Sequence, residues 1–202
     1  ALGFLNKYNI VFMLIGLFPA VLLTEQRKWL ARKEFYMALF LGFILVLPNL
    51  VWQYQNNFPV IHHLNQLADR QLVHVDRWGF LTSQLLFFIG SLFVIVAALY
   101  ALLFYLPFRK YKLFFWAIIF TLLAFLYFRA KDYYAIGIYP IYIAFGSVFL
   151  AEKLKTGWRK YLQPIAIALP VLFFIPMYLF VFPNKSPQYI VENSRHYKNL
   201  GL

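Results

Sequence analysis

The chain has 202 residues, 63% hydrophobic and 22% aromatic, with 13% charged residues and a mean hydropathy of +0.67. A soluble domain is about 45–50% apolar and about 25% charged, so this composition excludes a water-soluble fold and marks an integral membrane protein. The net charge of +12 would suggest nucleic acid in a soluble protein, but here the basic residues sit in short loops between apolar runs, and no nucleic-acid partner is expected. The absence of cysteine removes disulfides, thiol nucleophiles and zinc-thiolate sites from consideration.

The chain opens Ala1-Leu2-Gly3, without Met and without a cleavable signal pattern. It reads as a piece of a longer polypeptide. Six apolar runs follow, over 8–23, 35–52, 80–106, 113–128, 133–151 and 161–183. A spanning helix needs roughly 20 apolar residues. The runs show no alternation of the kind a membrane barrel needs. The expectation is an all-α, polytopic membrane helical bundle of about six transmembrane helices, one domain over 1–202. Pro19, Pro48, Pro140, Pro164, Pro170 and Pro176 fall in or near these runs. They imply kinks, since neighbouring helices can satisfy the freed carbonyls.

Loop charges set the orientation. The loops 24–34, 107–112 and 152–160 carry four, three and four basic residues, eleven of the 19 in the chain. Such loops are expected to be cytoplasmic. The start of the chain, the 53–79 segment, the 129–132 turn and the tail from Asn184 then share the opposite side.

The longest polar segment runs from Gln53 to Gly79. Asn56-Asn57-Phe58-Pro59 is a turn signal. Ile61, Leu64, Leu67, Ala68 and Leu72 recur at helical spacing, which predicts an interfacial amphipathic helix within 60–75. His62, His63 and His74 invite a metal reading, but adjacent histidines on a helix diverge by about 100°, and interfacial hydrogen bonding is the expected role. Asp69, Asp76 and Asp132 could each position a cation, pair with a neighbouring Arg or act as a base. For Asp69-Arg70 and Asp76-Arg77 the simpler reading is solvated charge.

Arg129-Ala130-Lys131-Asp132-Tyr133-Tyr134 stands between two apolar runs, with Pro140 six residues on. Three ionisable side chains in four residues at a membrane boundary are costly without a partner. The plain alternative is that Arg129 and Lys131 snorkel to headgroups and Asp132 neutralises one of them. The aromatic load is mostly interfacial belt and lipid contact.

Three segments carry a resemblance: Ala1-Leu2-Gly3-Phe4-Leu5-Asn6-Lys7-Tyr8, then Pro48-Asn49-Leu50-Val51-Trp52 through Asn56-Asn57-Phe58-Pro59, then Lys131-Asp132-Tyr133-Tyr134 with Pro140. In order and spacing they resemble polyprenyl-phosphate-dependent glycosyltransferases of family 39 and its relatives, the protein mannosyltransferase-like and aminoarabinose transferase-like proteins. The resemblance implies part of a GT-C fold, in the later membrane helices. It also implies a bacterial inner-membrane location with an extracytoplasmic active face. Such enzymes move a sugar from a polyprenyl-phosphate carrier to a lipid, glycan or protein acceptor among membrane lipids. By that analogy Lys131 and Arg129 would hold the carrier phosphate, Tyr134 would lie beside it and Lys7 would contribute. By their position on the same outer side, Trp52, Asn56, Asn57 and His63 are expected to shape an adjoining pocket. No metal site is expected among these residues, although a divalent cation is a candidate cofactor.

The family's catalytic Asp, followed by another acid, lies in a first outer loop that has no counterpart here. The acids before residue 69 are Glu25 and Glu34, both in a basic loop. The expectation is a fragment lacking the N-terminal helices and that loop, and catalytically incomplete alone. The competing class is a transporter or flippase-like bundle. That class would place ionisable groups within its spans, and the six runs carry almost none.

Overall fold

The computed structural model describes residues 1–8, 10–70, 75–181 and 185–195, and every regular element among them is helical. In chain order these are α1 (Leu2–Asn6), α2 (Ile10–Leu22), α3 (Lys33–Gln55), α4 (Pro59–Arg70), α5 (Arg77–Phe87), α6 (Leu92–Phe104), α7 (Lys112–Tyr127), α8 (Tyr139–Leu154), α9 (Leu162–Val181) and α10 (Pro187–Glu192). The all-α membrane bundle read from the sequence is the fold observed.

The spans differ in detail from the six runs. Among the described residues, three helices are long and apolar enough to cross a membrane, Lys33–Gln55, Leu106–Tyr127 and Asp132–Lys153, and the number reaches five if each of two bent pairs is one span. The first run yields only the 13 residues of α2, after which the chain turns by 102° into Glu25–Ala31. The third run breaks at Ile89–Ser91, with a 62° bend between α5 and α6. The short fourth run is lengthened at its start by the 3-10 segment Leu106–Tyr111, so its basic residues belong to the end of the span. The sixth run folds as the 20-residue α9, which contains Pro170 and Pro176. The predicted interfacial helix begins at Pro59 and is seen to Arg70. Leu72 and His74 lie outside the described residues.

Small residues allow the main contacts. Between membrane helices, close backbone approach replaces the hydrophobic drive available in water. Gly16 of α2 lies against the backbone of Thr121 in α7, where a Cβ would sit 2.6 Å from the Thr121 amide nitrogen. Gly146 of α8 meets the carbonyl of Val94 in α6, and Gly90 meets Pro170 and Phe173 of α9. Around these contacts Leu102, Phe125, Ala98 and Ala101 are fully buried. α3 keeps none of its apolar window buried.

The loops sort to two ends. Gln26 donates to the Lys110 carbonyl at 2.8 Å, and the Lys153 ammonium lies 4.9 Å from the Tyr105 ring centroid. The three basic loops are thereby gathered together. At the other end Arg77 donates to the Leu126 carbonyl at 3.2 Å and Lys7 approaches the Tyr134 ring. The 16 residues of α7 separate the two ends by about 24 Å. If the basic end is cytoplasmic, Lys28→Cys and Lys155→Cys will resist a membrane-impermeant thiol reagent in intact cells, whereas Asn57→Cys will react. Labelling of the first two from outside would reverse the orientation.

Candidate functional site

The site is built where α7 ends. Phe128 caps the helix, the Arg129 amide bonds to the Leu126 carbonyl at 3.4 Å, and the Ala130 amide bonds to the Phe125 carbonyl at 2.9 Å. This is a Schellman closure with Arg129 in the left-handed position, at φ 50°. Ala130 is buried against the core that contains Phe125, so the chain is fixed on both sides of the exposed Arg129. Glycine is the usual residue at such a position. Lys131 follows as the N-cap of the 3-10 segment Asp132–Ile138.

Both neighbouring acids are occupied by backbone. Asp132 Oδ1 accepts from the Tyr133 amide at 2.8 Å. Asp76 Oδ2 accepts from the Gly79 amide at 2.6 Å and caps α5. Asp76 and Arg77, expected as solvated charges, thus both take backbone partners. Among the described residues the one ion pair is Lys155 with Glu152. Neither Arg129 nor Lys131 stands within ion-pair distance of either acid. Lys131 lines a cleft of about 290 Å³ with Asp76, Asp132, Gly79, Ser83 and Tyr133. Arg129 lines an adjoining cleft of about 260 Å³ with Asp76, Arg77 and Trp78.

Gln84 of α5 holds this turn from below. It is 6% exposed. Its Nε2 donates to the Asp132 carbonyl at 3.0 Å and to the Phe80 carbonyl at 3.2 Å, while its Oε1 accepts from the Tyr139 hydroxyl at 3.2 Å. A second buried glutamine, Gln53 of α3, ties that helix to α4 and to the turn at Tyr8. It donates to the Tyr8 hydroxyl at 2.8 Å, Tyr8 donates to Asn49 at 2.9 Å, and the Val60 amide donates to Gln53 Oε1 at 3.3 Å. Lys7, beside Tyr8, lies 4.8 Å from the Tyr134 ring centroid and 5.9 Å from that of Tyr133. These are cation–π distances. Lys7 and the 131–134 segment are brought together across more than 120 residues of sequence.

The 52–59 turn repeats the first device. Asn57 and Phe58 stand at φ 58° and 52°, closed by a 2.7 Å bond from the Phe58 amide to the Gln53 carbonyl. Asn56 donates to the Trp52 carbonyl at 2.8 Å. Trp52, Asn56, Asn57 and His63 are exposed, and none lines the clefts of Lys131 or Arg129. Arg129, Asn57 and Phe58 are the non-glycine residues at positive φ among those described. Strain of this kind collects at functional positions. Tyr8, Asn49 and Gln53 enter the sequence reading only as parts of longer segments, and Gln84 does not enter it. For Gln84 the available signal is an amide within the apolar 80–106 run, a placement that calls for a partner.

Among the described residues, no three His, Asp or Glu side chains gather as metal ligands.

Arg129→Gly separates structure from function. It relieves the left-handed backbone and is expected to stabilise the bundle by about 1 kcal/mol. If the guanidinium binds substrate, turnover will fall while the detergent melting midpoint rises. Lower stability with unchanged turnover would remove Arg129 from the site.

Residues 1–52 match the family described as dolichyl-phosphate-mannose-protein mannosyltransferase. No curated protein and no solved structure matches the chain. The matched stretch contains Lys7, Tyr8 and Asn49 but not the Arg129–Tyr134 turn. Together with the apolar helices, it supports an integral membrane protein resembling glycosyltransferases that use a lipid-linked sugar donor.

Proposed function

We propose that this chain is the membrane part of a glycosyltransferase that draws its sugar from a polyprenyl-phosphate carrier at the extracytoplasmic face. The observation that carries the reading is the pair of cations, Arg129 and Lys131, neither of which forms an ion pair with an acid among the described residues. Such a turn favours an anion. Lys7, held near Tyr134, adds a third positive charge to the same neighbourhood.

In the proposed reaction an acceptor hydroxyl attacks the anomeric carbon of the sugar. The bond between that carbon and the carrier phosphate oxygen breaks, and the electron pair leaves with the phosphate. Lys131 and Arg129 stabilise the charge that develops on it, and such contacts count most in a partly dry site. The acceptor's proton goes to a general base outside the residues named here. The acceptor is a lipid, glycan or protein, and the setting is a bacterial inner membrane. The transport reading has less support, because α2, α6 and α9 carry no Asp, Glu, Lys or Arg.

The test uses the full-length protein in proteoliposomes with a polyprenyl-phosphate-linked sugar. Sugar appearing on an added acceptor, with release of polyprenyl phosphate, is the expected result. Solute uptake without sugar transfer would replace this reading by the transport one.

A further inference from the structure

The basic end of the bundle holds a cleft lined by charged side chains. We propose that it seats the phosphate of an anionic glycerophospholipid, between the segments Glu25–Ala31 and Leu106–Tyr111. The two segments are joined by the 2.8 Å bond from Gln26 to the carbonyl of Lys110, 84 residues further along the chain. That bond borders a cleft of about 180 Å³ lined by Glu25, Gln26, Arg109, Lys110, Lys112 and Trp116, among others. Three cations face one acid there. Among the described residues Glu25 forms no ion pair with any of them. The cleft therefore keeps a net positive charge, with amide and indole donors beside it.

Depth selects the ligand. Lys112 begins α7 and Trp116 lies one turn further along it, at the start of the apolar length of that span. Tryptophan belongs to the level between headgroup and hydrocarbon. A phosphodiester held at Arg109 and Lys112 would leave its acyl chains beside α7, within the hydrocarbon. A free phosphate would gain only the charge contacts. Basic pockets between membrane helices on the cytoplasmic side are suited to anionic headgroups.

The experiment is lipid titration of the purified protein, read by native mass spectrometry, with phosphatidylglycerol and phosphatidylcholine as probes. Phosphatidylglycerol is expected to bind at least about tenfold more tightly. Each cation near an anionic headgroup contributes enough that removing two lowers affinity by about 30-fold. That loss is expected for Arg109→Ala with Lys112→Ala. Arg159→Ala with Lys160→Ala removes the same charge from the neighbouring loop and should leave binding within about threefold, as charge without a cleft is screened. Arg109→Lys with Lys112→Arg keeps the charge and should keep binding, which guards against a folding artefact. Equal losses in the two alanine pairs would overturn the site. Inorganic phosphate displacing the lipid at comparable concentration would overturn the lipid assignment.

Discussion

Lys131→Ala in the full-length protein is expected to lower turnover on a polyprenyl-phosphate sugar by about 100-fold to 1000-fold, the loss typical of one donor aimed at developing charge. The fold should survive this change. Lys131 is an N-cap without a side-chain hydrogen bond to the helix it precedes, and the turn is held from its other side by Gln84 and the closure around Ala130. The melting midpoint should therefore stay close to that of the unaltered protein. Lys131→Arg should keep part of the activity, because a phosphate accepts either cation where a planar carboxylate would prefer one. The effect belongs in turnover more than in apparent affinity, since the phosphate gains charge as the sugar departs. Normal turnover in Lys131→Ala would sink the phosphate role. A loss confined to apparent affinity would leave Lys131 as a binding group and shift the transition-state role to Arg129 or Lys7.

Much of the architecture was legible because the membrane simplifies the rules. Continuous apolar runs have few folds open to them besides helices, and all six runs became helices. What hydropathy could not show was continuity. The 80–106 run is apolar throughout, yet it breaks at Ile89–Ser91 where Gly90 packs against Pro170 and Phe173 of α9. The residues packed against that break lie at least 80 positions further along the chain. The ionisable turn at 129–134 was legible as an anomaly, because charges at a boundary are conspicuous. Its closure was not, since Arg129 occupies a place where glycine is the usual signal. Lys7 was linked to this turn by resemblance alone, and the structure sets it against Tyr134. Gln84 is hard to read for the opposite reason. A single amide is inconspicuous beside a cluster of charges, yet Gln84, like Gln53, is buried and bridges separate segments.

Gly146→Val is expected to cause the largest stability loss of any single substitution considered. A Cβ at residue 146 would run into the Val94 carbonyl oxygen and lie 2.8 Å from the Val94 carbonyl carbon. These are main-chain atoms of α6, so no rotamer change can make room. The helices α6 and α8 must separate, opening the contacts around Ala98, Tyr142 and Phe149. Overpacking of a close-packed core costs about 1–3 kcal/mol, and more where backbone must shift. A loss of about 3 kcal/mol or failure to assemble is the expected outcome. Gly42 supplies the contrast, because it lies in α3 with nothing within 4 Å of its missing side chain. There Gly42→Ala should be neutral or stabilising by up to about 1 kcal/mol through helix propensity alone. Val94→Ala should not rescue Gly146→Val, since trimming that side chain leaves its carbonyl in place. Melting midpoints in detergent decide the matter. If Gly146→Ala and Gly42→Ala melt together, α6 and α8 are not held at the separation that a glycine contact requires.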